Sequence, residues 1–527
     1  MVMAIGQATF QTRFSSGILQ GIITAKLHRH ARTLESSTDR RPVPIEPNHL
    51  LSFYHPIILE KAFVKACQDQ NFPLEASSLA NQDSLLSPEQ AFHSFVNKLA
   101  QVCDIKRGGE TVTAFTVLRG DGGPHYVLGS NQRCEEALIE TKTFVESLLK
   151  LASRDPVIVR QLQNLRSRTE FTRDVVSSPS ARDKFLSDFE KLIKAIHAIK
   201  NTELEKAIIE KAKDGELSRS QRWCELRHYL GRLLSYRQAA EIIIASSKRW
   251  PELFESFTIT PIPSSHPAPR PVSHKGLTAA RIVEDMVQGD DSEPHPLFEE
   301  ILQKLQNFDL DRLIHNKIRS KSFRPIVHAE VLVHHHLLDE GISHPALYWN
   351  QWKYIGSSKA TCRLCSHYFN AHQDRVDVRP GHRNLYPSWR LPDVYQDQGD
   401  DAASRRLDLL LKLTEDVKND ARWTIEHKIL LGKKYDTNTY SANPEYLMYN
   451  SGDEDAMSDS ELDSGTSQSS GLDECVSVLP PEARHSKSVD VRDEDSCDED
   501  GGVPLWDTKE SPSWSLTNPP ALLRVHV

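Results

Sequence analysis

Two short segments of the sequence contain side chains that could together hold a metal ion. His328 and Glu330 lie in RPIVHAEVLVHHHLLDEG, and Cys362 and Cys365 lie in YIGSSKATCRLCSHYF. The C-x-x-C spacing places two thiols one turn apart on the same face if that segment is helical. Two thiolates combined with an imidazole are typical zinc ligands. A single C-x-x-C pair is also typical of a redox pair or of two core cysteines, so the spacing leaves those alternatives open.

The number of available ligands bears on what such a metal would do. No other cysteine pair exists in the chain, which disfavours a site made of four cysteines. His328, Cys362 and Cys365 would supply three ligands and leave a fourth position open for water, as in catalytic zinc sites. Glu330 would then collect a proton from that water and transfer it to a leaving group.

The spacing of His328 and Glu330 also constrains the local structure. Residues two apart do not share a face of a regular helix, so these two can act together only at a helix start. Pro325 precedes them and Gly341 follows a helical pattern, which predicts a helix between them. If Cys362 opens a second helix, the positive ends of two helices face the site and favour a thiolate and a hydroxide.

Periodicity and turn signals predict the elements that must position these residues. Residues 87–104 predict a helix that begins with a capping box and a proline. Residues 111–131 contain two β-branched and aromatic runs around Gly-Asp-Gly-Gly, which predicts a hairpin. Apolar residues at three- and four-residue spacing predict helices between 135 and 250, and the Pro- and Ser-rich residues 260–274 predict an extended linker or a surface loop.

H-x-E followed by C-x-x-C resembles the signature of the zinc-dependent cytidine-deaminase-like superfamily. The stretches VHAEVLVHHHL, KYIGSSKATCRLC and GHRNLYPSWRLPD are similar to the OTT-like deaminases, a family of nucleotide or nucleic-acid deaminases expanded in fungi. The resemblance covers Pro325–Asp393. It implies that His328, Cys362 and Cys365 bind Zn²⁺, that Glu330 carries the proton, and that the protein is a hydrolytic deaminase of a nucleobase in a nucleotide or nucleic acid.

The resemblance also implies the fold, an α/β three-layer α/β/α zinc core that is discontinuous in sequence, with a large helical insertion and disordered termini. The predicted divisions are a disordered N-terminal arm (1–45), N-terminal helices with the first hairpin (46–133), a helical insertion (134–254), a Pro/Ser-rich linker (255–292), the zinc-binding core (293–440) and an acidic disordered tail (441–527). Asn131 would occupy the position after the second strand where related deaminases place a substrate-contacting Asn. An ordinary turn Asn is the alternative.

Other residues in the resembling segment are candidates for substrate contacts. A pocket could be lined by His382, Tyr386, Trp389 and Arg390, with the rings stacking on a base and Arg390 contacting a phosphate, unless the loop that carries them simply packs on the core. Thr361 stands where most of the superfamily has Pro, and we expect its hydroxyl to cap the helix that follows. The triplet His334–His336 lies beyond the helix start, so we expect surface or packing roles for it.

Composition limits the class of protein. No apolar run approaches the roughly 18 to 20 residues that span a bilayer, and sparse cysteines are typical of a reducing compartment. We therefore expect no membrane association and an intracellular location, cytoplasmic or nuclear, with a mitochondrial presequence in the acid-free N-terminus as the less favoured alternative. Residues 451–502 carry 16 acidic and 3 basic side chains, so the rest of this chain of net charge −9 is mildly basic, which is compatible with a nucleotide or single-stranded nucleic-acid substrate.

The main alternative is a non-enzymatic function. The zinc fold could be catalytically silent and serve as an interaction module, with the helical insertion or the acidic tail as the surface for protein partners. A scaffold needs the histidine and the cysteines for zinc but has no use for Glu330, which favours the enzyme.

Overall fold

The computed structural model describes residues 40–430 except for 70–74, 77–86, 107, 153, 155–187, 189–190, 193, 197, 200–201, 214–220, 272–275, 288–295, 307–308, 321–322, 382 and 428. The predicted acidic tail and residues 1–39 of the predicted N-terminal arm lie outside the described residues. Among the described residues, none of the helices is long and apolar enough to cross a membrane.

Helices and short strands are interspersed along the described chain. The described helices are α1 (Pro47–Asp69), α2 (Pro88–Cys103), α3 (Glu135–Ala152), α4 (Glu203–Lys213), α5 (Gln221–Arg249), α6 (Glu252–Glu255), α7 (Ala279–Val287), α8 (Pro296–Gln306), α9 (Leu310–Arg319), α10 (Ala329–Asp339), α11 (Arg363–Ala371) and α12 (Asp400–His427). The described strands are β1 (Glu75–Ala76), β2 (Thr113–Gly120), β3 (Gly123–Ser130), β4 (Thr258–Pro261), β5 (Tyr354–Ser357), β6 (Asp377–Val378) and β7 (Ile429–Leu430). The predicted capping box at the start of α2 is present between Ser87 and Gln90.

Five of these strands form one mixed sheet in the order β4-β3-β2-β5-β6. The hairpin β2–β3 is antiparallel, β5 runs antiparallel to β2, and β4 and β6 run parallel to β3 and β5. The predicted hairpin is therefore confirmed, and it forms the centre of the sheet together with β5. A separate two-stranded pairing joins β1 to β7.

Helices cover both faces of this sheet. Alternation along β2 sends Phe115 and Val117 into one core and Ala114 and Leu118 into the other, as the pleat of a strand requires. The first core is completed by α2, α3 and α5, and the second by residues of α1 and of α7 to α12. The predicted α/β class with three layers is confirmed.

The discontinuous core brings the early hairpin against α10. A Cβ at Gly129 of β3 would lie 2.8 Å from Cγ2 of Val333 and 3.3 Å from the carbonyl oxygen of Ala329. Only glycine permits this close approach of the strand to the helix. Some 200 residues separate the two elements, and α3 to α6 lie between β3 and β4 in the chain.

The structure differs from the predicted linker at residues 255–292. This stretch includes β4, which pairs with β3 at the edge of the main sheet, and α7. An edge strand tolerates the proline at its end because one side of the strand needs no ladder hydrogen bond, so its Pro-rich sequence resembled a linker. The Thr-Ile-Thr run that begins β4 was the overlooked signal.

The predicted disordered arm 1–45 is wrong at its last residues. Pro42 pairs with Tyr395, the N–H of Val43 donates to the carbonyl of Val394 at 2.7 Å, and Arg40 pairs with Asp397. A partner about 350 residues away leaves no local pattern in the sequence of this segment.

Candidate metal centre

Two helices begin at the same edge of the sheet. His328 is the N-cap of α10, with extended backbone angles (φ −70°, ψ 151°). Cys362 is the N-cap of α11, and its Sγ accepts a hydrogen bond from the N–H of Cys365 at 3.5 Å. Both helix starts agree with the prediction, so the positive ends of two helix dipoles face one place.

The three predicted ligands converge there. Within the described part of the chain, His328, Cys362 and Cys365 form the group of candidate metal-binding side chains, with donor atoms all within 4.8 Å of one another. Nδ1 of His328 lies 3.5 Å from Sγ of Cys362 and 3.4 Å from Sγ of Cys365. A tetrahedral zinc ion with ordinary bond lengths requires an N–S separation of about 3.5 Å. The donor set and its spacing therefore fit zinc, and these residues could bind a metal.

Glu330 lies beside these donors in the first turn of α10, and its side chain is buried. Burial raises the pKa of its carboxyl group above the ordinary value, although the charge of His328 and a hydrogen bond with Cys365 oppose the shift. A carboxyl group with a raised pKa exchanges protons nearer to neutral pH. Glu330 therefore adjoins the three donors without being one of them.

The two thiols differ in their tendency to ionise. Burial opposes ionisation of both, but hydrogen bonds from Cys365 and His328 and the charge of His328 bring the pKa of Cys362 well below its ordinary value. Burial and the neighbouring Cys362 raise the pKa of Cys365 well above its ordinary value. A metal held by both sulfurs would require the pair to lose its remaining thiol proton.

The side chain of Asn131 contacts the start of α10, the helix that begins after His328. The N–H of Ala329 donates to its Oδ1 at 2.7 Å, and its Nδ2 donates to the carbonyl of Gly109 at 2.8 Å. The side chain therefore caps the start of α10 from the end of β3, which fixes His328 relative to the sheet. Its predicted contact with substrate stays a prediction.

Trp389 was predicted to stack on a substrate base, and the structure contradicts this. Its ring is fully buried between Phe53 and Tyr368. Its Nε1–H donates to Sγ of Cys365 at 3.2 Å. The packed-loop alternative is the one realised, because helix α1 covers the indole face that a base would need.

Arg390 was predicted to contact a phosphate, and its guanidinium is engaged elsewhere. It forms a two-pronged ion pair with Asp393 at 2.8 and 2.9 Å and donates to the carbonyl of His266 at 2.9 Å. A phosphate would have to displace a carboxylate already matched to the guanidinium.

Thr361 does not cap α11, contrary to our expectation. Cys362 is the N-cap, and the buried Oγ1 of Thr361 has no hydrogen-bond partner among the described residues. The helix start therefore forms without the Thr361 hydroxyl, since Sγ of Cys362 accepts from the N–H of Cys365 and the N–H of Arg363 donates to the carbonyl of Asn384 at 3.0 Å.

The histidine triplet lies away from the donors. His334 of α10 is buried and bridges to α11: its Nδ1 contacts the hydroxyl of Tyr368 at 2.9 Å, and its Nε2 contacts Asp374 at 3.0 Å. His335 is half-buried beside Asp339. For these two residues, packing and surface roles are therefore observed.

We expect protonation of His334 to oppose folding in mild acid. Burial lowers its pKa to about 4, whereas the unfolded chain takes up a proton near pH 6.5. The folded state then binds fewer protons, so stability is full above pH 6.5 and falls as the pH drops towards 4. Between pH 7.5 and pH 5 this group should remove about 2 kcal/mol of unfolding free energy.

Urea unfolding of His334→Gln at both pH values measures this effect, with His335→Gln as the matched control. The loss of stability on acidification should shrink in His334→Gln and stay at the wild-type value in His335→Gln. An equal loss in all three proteins would contradict the prediction.

No role was predicted for Arg363, one of the two residues between Cys362 and Cys365. Arg363 is buried and pairs with Glu60 of α1 at 2.6 Å, and its Nε–H donates to the carbonyl of Arg383 at 3.0 Å. Asp420 of α12 lies 3.7 Å from the same guanidinium. A charged residue inside C-x-x-C was the only local signal, because its partners lie about 300 residues before it and 57 after it.

Comparison with known families agrees with this site. Residues 327–393 match the profile of the OTT_1508-like deaminase family, which confirms the resemblance over the segment that contains all three donors and Glu330. Neither a curated protein nor a solved structure matches the chain. Elements outside the matched segment, including α1, α12 and the central hairpin, complete the surroundings of the site.

Proposed function

We propose that this protein is a zinc-dependent hydrolytic deaminase of a nucleobase in a nucleotide or nucleic acid, because the segment that carries the site matches a deaminase family. The observation that carries the proposal is the convergence of His328, Cys362 and Cys365 within 4.8 Å beside the buried carboxyl group of Glu330. A structural zinc site would close its coordination with a fourth ligand. This one instead has a proton carrier next to its three donors.

Each residue of the site has its own role in the proposed reaction. His328, Cys362 and Cys365 would hold zinc, which when bound supplies the Lewis acidity that activates water for attack on the amino-bearing carbon. Glu330 takes the proton from the attacking water and delivers it to the amino group, which leaves as ammonia. Asn131 keeps the start of α10, and with it His328, against the sheet.

Two features support a nucleobase as the substrate. The half-buried ring of Tyr386 lies 6.4 Å from the ring of His328, where it could stack on a base. The chain outside residues 451–502 also has a mild excess of basic residues, which favours an anionic substrate.

A substrate screen tests the proposal. The full-length protein, loaded with one zinc ion per chain, is incubated with cytosine- and adenine-containing nucleosides, nucleotides and single strands, and ammonia release and the mass of the base are measured. The proposal is supported if ammonia is released and the mass of the base shows that one oxygen atom has replaced one NH group. Bound zinc without reaction on any of them would favour the silent interaction module, and no bound zinc would refute the metal site.

A further inference from the structure

The sulfur of Cys365 receives a hydrogen bond from a buried indole. Nε1–H of Trp389 points at Sγ at a distance of 3.2 Å, and no part of the Trp389 side chain reaches solvent. Sulfur accepts hydrogen bonds weakly when it is a neutral thiol and more strongly when it carries the charge of a thiolate. The contact therefore ties the Cys365 sulfur to a buried donor beside the other two candidate ligands.

The loop that carries Trp389 also fixes the segment that leads to His328. The N–H of Ile326 donates to the carbonyl of Ser388 at 3.0 Å, and the N–H of Arg390 donates to the carbonyl of Ile326 at 2.9 Å. Ile326 lies two positions before His328. These two hydrogen bonds therefore connect the loop that contacts Cys365 to the segment that leads into His328.

Helix α1 fixes the position of Trp389 in turn. The hydroxyl of Tyr54 donates to the carbonyl of Trp389 at 2.9 Å, and the rings of Phe53 and Trp389 lie 5.9 Å apart. Tyr54 also packs edge-on against Phe323, at 5.6 Å between ring centroids. The indole has little freedom to turn its N–H away from the sulfur.

We propose that Trp389 is a positioning residue of the metal centre, whose indole N–H holds the Cys365 sulfur in place for metal binding. This inference rests on the metal site of the proposed function and goes beyond it, since it concerns how tightly the metal is bound. Removal of groups that hydrogen-bond to metal ligands typically weakens metal binding by about 10- to 100-fold. We expect a loss in that range without Trp389.

The substitution Trp389→Phe tests this role because it removes the N–H and keeps most of the ring. Full-length protein is used, and its zinc dissociation constant is measured by competition with a chromophoric chelator at fixed pH. Trp250→Phe is the matched control, because Trp250 is a buried tryptophan of the core on the other face of the sheet. The expected result is at least about tenfold weaker zinc binding in Trp389→Phe and little change in Trp250→Phe.

Cobalt substitution separates a hydrogen bond to sulfur from simple packing. A sulfur that loses a donor becomes richer in electrons, so the sulfur-to-cobalt charge-transfer band of Trp389→Phe should move to longer wavelength. A tryptophan that only fills space would leave that band in place. Unchanged zinc affinity and an unchanged cobalt band would overturn the inference.

Tyr54→Phe keeps the test decisive if Trp389→Phe does not fold. This variant retains the indole but removes the hydroxyl that donates to the main-chain carbonyl of Trp389. We therefore expect a smaller change of zinc affinity and of the cobalt band, in the same direction as in Trp389→Phe. No change in either would overturn the inference. Deaminase activity is measured separately, so weaker zinc binding by these variants would uphold the role of Trp389 even if the screen found no substrate.

Discussion

Replacing Glu330 with Gln is expected to slow deamination by about 100- to 10,000-fold while the protein keeps its zinc. Glutamine has nearly the shape of glutamate but can neither take a proton from the attacking water nor return one to the leaving amino group. Because Glu330 is not among the three converging donors, its substitution should leave metal binding intact. The turnover rate and the zinc content of the purified variant measure the two effects.

Glu340→Gln provides the control for this substitution. Glu340 is the C-cap at the opposite end of the same helix, α10, so this variant removes the same charge from the same helix without touching the site. We expect wild-type turnover from it. Wild-type turnover of Glu330→Gln would rule out Glu330 as the proton carrier, and loss of zinc from that variant would identify Glu330 as a ligand.

The second large effect is expected at the buried ion pair between Arg363 and Glu60. Both side chains are nearly inaccessible to solvent, with exposed fractions of 5% and 4%. Arg363→Met would leave the carboxylate of Glu60 buried without its partner, which typically costs about 3 to 5 kcal/mol. Urea unfolding of the metal-loaded variant and of the wild type measures this loss.

A surface ion pair provides the control for Arg363→Met. Arg281 pairs with Glu284 on α7, and both side chains are 55% exposed, so Arg281→Met should cost less than about 1 kcal/mol. The double variant Glu60→Leu/Arg363→Met removes both buried charges and should recover part of the loss of Arg363→Met. Equal costs for Arg363→Met and Arg281→Met would show that the buried pair has no special role.

The ion pair and the indole contact together make α1 part of the metal centre. Glu60 of α1 reaches the residue between the two cysteines, and Tyr54 of the same helix holds the loop of Trp389. This helix lies outside the segment that matches the deaminase family. The matched segment alone would lack both contacts, so we expect the surrounding helices to be needed for a stable site.

Several features of the fold were predictable because their causes are local. The capping box of α2, the hairpin β2–β3 and the start of α10 at His328 each follow from a few neighbouring residues whose backbone preferences and hydrogen bonds act within one or two turns. The resemblance then supplied the order of elements that joins the hairpin to α10. The edge strand β4 was missed because its pairing partner, β3, is about 130 residues away.

The sequence by itself determined the chemistry of the donors, since His328, Glu330, Cys362 and Cys365 have the residue types and the helix-start spacing of a catalytic metal site. Only the tertiary structure decided what surrounds them. It turned Trp389 from a candidate for base stacking into a hydrogen-bond donor to a ligand, and it paired Arg390 with Asp393. The physical reason is that a donor atom is specified by its own side chain, whereas burial and partners are set by segments that meet only when the chain folds.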